Sequence, residues 1–164
     1  MKRIKTFKEY LEEIEPLKNV NSGKPFYMEG IDVTKLASDI IRFAKDECGI
    51  DFGKNYPRIT FSKKEQDEKN PIFTETGRYT PEDNSIVIFT ENRFIKDCLR
   101  SMTHELVHAD QYINKGIKVE KASNGIYGKS KKAEFVESDA YKRGNLIFRK
   151  WEESIRIPLG TKYP

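Results

Sequence analysis

The chain has 164 residues, 37% of them hydrophobic, and carries 30 Lys and Arg against 26 Asp and Glu for a formal net charge of +4. That length and apolar content suffice to bury a real core as a single domain over 1–164, and so mild a charge balance does not by itself demand nucleic acid. Two cysteines argue against a disulfide scaffold, no run is apolar enough to span a bilayer, and the opening Met1-Lys2-Arg3-Ile4-Lys5-Thr6-Phe7-Lys8 lacks a signal peptide's apolar stretch. A cytoplasmic or virion-delivered protein is expected.

Two helices are predicted in a helical N-terminal part, residues 1–50. Thr6 and Glu9 have capping-box spacing ahead of Tyr10, Leu11 and Ile14, with Pro16 as the stop. After a loop over 19–30, a second helix runs from about Thr34 to Cys48, where Leu36, Ile40, Phe43 and Ala44 are spaced helically and Gly49 ends it. Two β-rich runs follow, Arg58-Ile59-Thr60-Phe61 and Ser85-Ile86-Val87-Ile88-Phe89-Thr90. The polar segment from Ser62 to Thr80, with Pro71 and Gly77, reads as a connection at the edge of a cleft.

The third helix carries the chemistry. Ile95, Leu99, Met102, Leu106, Ala109 and Ile113 recur at spacings of 4, 3, 4, 3 and 4, one apolar stripe on a helix from about residue 93 to 114, with Asn92 as its cap and Gly116 near its end. Opposite that stripe lie His104 and His108, the only two histidines of the chain, in the sequence His104-Glu105-Leu106-Val107-His108. Positions four apart share a helix face, so both imidazoles can reach one metal ion while Glu105 sits beside them as a base. The bland reading is two histidines on a solvated face. A generic surface helix, however, has no need of both at this spacing.

A catalytic zinc site wants a third protein ligand and an open position for water. No third histidine exists, Cys98 points well around the same helix, and Cys48 lies far upstream, so a carboxylate is expected. The segment from Ser130, a natural cap, to Glu153 forms a second apolar stripe of Ala133, Val136, Ala140, Gly144, Ile147 and Trp151. On that wheel Glu137 borders the stripe and is best placed, Glu134 lies farther out, and Asp139 lies on the other flank.

His-Glu-x-x-His followed by Glu137-Ser138-Asp139-Ala140 resembles the zincin metallopeptidases, and among them the gluzincins, whose third ligand is a Glu on a second helix. The stretch from Tyr79 through Tyr112 is also similar in style to small metallopeptidases carried by tailed phages. The likeness covers roughly residues 56–152, the expected catalytic core. It implies an α+β, zincin-like fold: a small mixed sheet packed on the active-site helix and a glutamate-bearing helix, with one Zn2+ held by His104, His108 and Glu137. In one respect the chain departs from the pattern. Many gluzincins place an Asp four residues after the ligand Glu to support a histidine, and here that position is Tyr141.

The implied activity is hydrolysis of a peptide or protein by metal-activated water, with Glu105 as general base. Tyr141, Tyr112 and Tyr127 are candidates to meet substrate or its transition state, and Ile86 to Thr90 reads equally as an edge that pairs with an extended peptide or as a strand of the core sheet. Lys115, Lys118, Lys121, Lys129, Lys131 and Lys132 cluster between the two site helices. Without aromatic interleaving they read as a solvated loop, and nucleic acid is not the expected partner. The competing functional class is a catalytically silent zincin-like module that binds metal in a structural or binding role, as a phage component or an effector.

Overall fold

The computed structural model of the chain describes residues 6–63, 75–118 and 130–159, with 156–159 described in backbone only. Lys121, Lys129 and Tyr127 lie outside these ranges. The architecture is mixed α+β. Among the described residues it comprises four α-helices, a two-stranded hairpin and a three-stranded sheet.

Helix α1, Phe7–Glu12, begins with the expected capping box: Thr6 Oγ1 accepts from the Glu9 amide, and Glu9 accepts from the Thr6 amide. Helix α2, Val33–Cys48, starts where the Asp32 carboxylate accepts from the Thr34 amide and stops at Gly49, whose φ of 71° few other residues tolerate. Its Leu36, Ala37, Ile40 and Ala44 are buried in the core. The 19–30 region, expected as loop, contains a 3-10 turn at Asn21–Gly23 and the strand β1, Tyr27–Met28, pairing with β2, Ile31–Asp32. Two-residue strands are too short to leave an alternating pattern. The hairpin signal is the Glu29-Gly30 turn, with both residues at positive φ.

The larger sheet has the order β3-β5-β4. Strands β3, Arg58–Ser62, and β5, Ser85–Phe89, match the two predicted runs and pair in parallel. Strand β4, Gly77–Thr80, was read as connection; it pairs antiparallel with β5. Four residues of mixed polarity, Gly-Arg-Tyr-Thr, give little periodic signal, since only a tight return from β5 recruits them. With β3 on one side and β4 on the other, β5 has no open edge. Of the two readings of Ile86 to Thr90, the core-sheet strand holds and the peptide-pairing edge does not, and the terminal strand next to the third helix is β4.

Helix α3 spans Ile95–Ile113. Its N-cap is Phe94, without a side-chain bond, and not Asn92, which sits at φ 56° in the preceding turn. Arg93 does the anchoring instead. Its guanidinium donates to the carbonyls of Phe89, Thr76 and Asp97 and to Ser101 Oγ at 2.7–3.0 Å, tying the end of β5 to the first turns of the helix. At the other end the cap is Asn114, with Gly116 turning the chain at φ 63° two residues later. The predicted apolar stripe is buried from Ile95 to Ala109, and Ile113 packs at its edge.

Helix α4, Lys131–Leu159, begins under Ser130, whose hydroxyl accepts from the Ala133 amide at 3.1 Å, and runs past the expected end near Glu153. Val136, Ala140, Ile147 and Trp151 are buried, and Trp151 Nε1 donates to Asp39 of α2 at 2.9 Å. No helix among the described residues is long and apolar enough to cross a membrane.

Helix α4 packs most extensively against α3. At the closest approach stands Gly144: a Cβ there would lie 2.9 Å from His104 Cα, 3.0 Å from His104 N and 3.2 Å from Thr103 C. These are backbone atoms that cannot swing aside. For Gly144→Ala the gain in helix propensity is about 1 kcal/mol, and overpacking costs of about 1–3 kcal/mol should exceed it because no flexible neighbour can yield. The expected outcome is a lower urea midpoint with unchanged helix content. A midpoint equal to or above wild type would contradict the close crossing.

Candidate metal centre

The register of α3 against α4 brings Glu137 opposite the two histidines. His108 Nε2 lies 3.1 Å from His104 Nε2 and 3.1 Å from Glu137 Oε1, while His104 Nε2 lies 3.4 Å from Glu137 Oε2. The other two carboxylates weighed for this position go elsewhere: Glu134 is exposed, and Asp139 Oδ2 accepts from Gln111 and Arg143. Cys98 is buried on the sheet side, near the Phe89 carbonyl. Three electron-pair donors thus converge where each partner needs a proton or a cation between them. Their side chains keep between 16% and 34% of their surface open, so the cluster is reachable from solvent.

Electrostatics follow from this crowding. Hydrogen bonds from both imidazoles hold the Glu137 carboxyl at about 2. Burial alone would lower the pKa of His108, but its bond to Glu137 and the charges of Glu105 and Glu137 outweigh it and the net shift is upward.

Glu105 faces the other way, toward the sheet. It is 8% exposed, and its Oε2 accepts from the Tyr79 amide of β4 at 3.0 Å. Burial raises its pKa against the downward pull of the two imidazoles. Gly77 makes room for it, since a Cβ there would stand 3.3 Å from Glu105 Cγ and 2.9 Å from Ile88 Cδ1. Histidines and base thus project from one helix toward two neighbours, α4 for the ligand cluster and β4 for the carboxylate.

The flanking tyrosines differ. The Tyr141 ring leans on His104 with centroids 4.5 Å apart and is 61% exposed, whereas Tyr112 packs edge-on against Tyr79 at 6.3 Å. Burial, then the neighbouring Tyr112, Glu82 and Asp83, push the Tyr79 phenol up to about 12, so it stays protonated near neutrality. Sequence reasoning missed three participants: the Tyr79 amide, the space at Gly77, and Gln111. Gln111 carried one readable signal, its position three residues after His108 on the same helix face.

The donor set suits a metal ion. Tetrahedral zinc with bonds of about 2.0–2.1 Å has donor-to-donor edges of about 3.3 Å; the two imidazole nitrogens stand 3.1 Å apart, and each faces a different Glu137 oxygen, at 3.1 and 3.4 Å. Two imidazoles and one carboxylate are also the ligand types that zinc accepts. His104, His108 and Glu137 each offer one ligand atom, and these atoms lie within 4.8 Å of one another, so the three could hold one ion. No family profile, curated protein or solved structure matches the chain.

If the three residues act as one ligand set, competition titration against a chromogenic chelator should find one zinc equivalent. Glu137→Ala should weaken binding by more than the roughly 10–100-fold typical of losing an outer-shell partner. Glu134→Ala should leave the affinity unchanged. Equal loss in both variants would detach Glu137 from the site.

Proposed function

We propose that the chain is a zinc-dependent metallopeptidase of the gluzincin kind, on a zincin-like arrangement of a three-stranded sheet and two site helices. The supporting observation is the joint placement of His104, His108 and Glu137 around one point, with Glu105 held beside them on the same helix. A zinc ion bound there supplies Lewis acidity, lowering the pKa of water toward neutrality and polarising a carbonyl.

The chain's own residues do the rest. Glu105 Oε2 is engaged by the Tyr79 amide, which fixes the carboxylate plane and leaves Oε1 as the oxygen that takes a proton from water and passes it to the leaving amine. Burial that raises the pKa of this carboxylate strengthens it as a base, because proton affinity closer to the working pH favours general acid-base transfer. Strand β4 ends the sheet on the side of α3, and at Tyr79 its outward amide is already spent on Glu105. Tyr141, exposed and tilted against His104, is the tyrosine we assign to meet substrate, while Tyr112 is occupied in packing against Tyr79.

Glu105→Gln separates catalysis from binding. The amide keeps the size and the bond to the Tyr79 amide but cannot accept the proton. Turnover of a fluorogenic peptide library should fall by roughly 10²–10⁴-fold while zinc affinity stays near wild type. Wild-type protein with one bound zinc and no turnover of any library member, indistinguishable from Glu105→Gln and from a chelated sample, would defeat the peptidase reading.

A further inference from the structure

We propose that Gln111 is the positioning residue for His108: through its side-chain amide it fixes which imidazole nitrogen of His108 carries the proton and which is presented to the metal. This rests on the zinc reading above, and it concerns a residue for which that reading has no role.

Gln111 is 2% exposed and lies one turn after His108. Its Nε2 donates to the Val136 carbonyl at 3.0 Å and to Asp139 Oδ2 at 2.9 Å, both on α4. A carbonyl and a carboxylate only accept, and both amide hydrogens are therefore spent on them. The orientation of the amide is fixed by chemistry: its oxygen must be the atom 2.9 Å from His108 Nδ1. An amide oxygen accepts only, so Nδ1 must carry the hydrogen. The lone pair of a neutral His108 is then confined to Nε2, the nitrogen that faces His104 and Glu137.

The anchor is itself braced. Arg143 donates to Asp139 Oδ2 at 3.1 Å and pairs with Asp110, a buried α3 carboxylate that also accepts from Asn114 Nδ2 at 2.8 Å. His108, Gln111, Asp139, Arg143 and Asp110 thus form one chain of bonds that crosses from α3 to α4 and back. His104 has nothing comparable. Its Nδ1 is buried with no hydrogen-bond partner among the described residues, and its ring leans on Tyr141.

The test reads the proton directly. With only two histidines, zinc-loaded protein labelled with 15N-histidine gives two imidazole spin systems, assigned by a His104→Ala sample. In wild type, His108 Nδ1 is expected to carry a hydrogen that exchanges slowly with water. Gln111→Leu should abolish that protection and weaken zinc binding by roughly 10–100-fold. Gln111→Glu keeps an acceptor for His108 Nδ1 while giving up both donors to α4; it should retain the protected hydrogen that Gln111→Leu loses. Urea midpoints of the zinc-free proteins control for packing. The proposal is overturned if Gln111→Leu keeps the protected hydrogen, or if zinc affinity in both variants falls only in step with those midpoints. Wild-type protein that takes up no zinc would instead remove the metal reading, and this proposal with it, whereas normal wild-type uptake with an unaffected Gln111→Leu would remove this proposal alone.

Discussion

The backbone-close crossing of α3 and α4 governs what the rest of the molecule can do. Because Gly144 has no side chain, α4 lies against the backbone of Thr103 and His104, a distance that ordinary residues would widen. From that point contacts step along the two helices in opposite directions. Lys96 pairs with Glu152 at 2.9 Å, the Arg100 guanidinium lies over Phe148, and beyond the glycine Gln111 meets Val136. Antiparallel register over this length leaves Glu137 no choice but to face His104 and His108. The ligand cluster is a consequence of helix packing more than of any local motif.

Charge is the second constraint. Four carboxylates, from Glu105, Asp110, Glu137 and Asp139, gather around the crossing. Arg143 serves Asp110 and Asp139. Glu137 bonds to the two imidazoles and its carboxyl is held at about 2, while Glu105, turned to the sheet, is lifted by burial against the pull of their charge. Positive charge at the cluster has to come from imidazole protons or from a cation between the rings. On the proposed reading a dication would supply it, satisfying three donors at once and letting Glu105 remain ionised beside it.

Much of this was legible in the sequence, and the reason is periodicity. The stripes of α2, α3 and α4 repeat over enough turns to fix faces, so His104, His108 and Glu137 could be assigned to facing surfaces before any packing was known. Two β-branched runs marked β3 and β5 for the same reason. What escaped reading depends on partners rather than on repeats. Strand β4 is four residues of mixed polarity that become a strand only because β5 presents an edge. Without that strand β5 could be read either as an edge or as part of the core sheet, and it is central. Asn92 is a good cap by type, yet the turn after β5 places Phe94 at the helix start and gives the anchoring to Arg93. Gln111 stood on the right face, but nothing in the sequence reveals that an amide at that position can reach two acceptors on another helix.

The departure from the gluzincin pattern at Tyr141 becomes intelligible in these terms. A residue four after Glu137 on α4 projects toward His104, against which the ring of Tyr141 is tilted. His108 takes its support from its own helix through Gln111, but Gln111 is oriented only by acceptors on α4. Glu137 is on α4 as well. One rigid contact between two helices therefore supplies both the third member of the cluster and the bond that aims the second. Separating the helices would cost the site both at once, which couples its integrity to the packing at Gly144 far more tightly than a ligand borne on a loop could be.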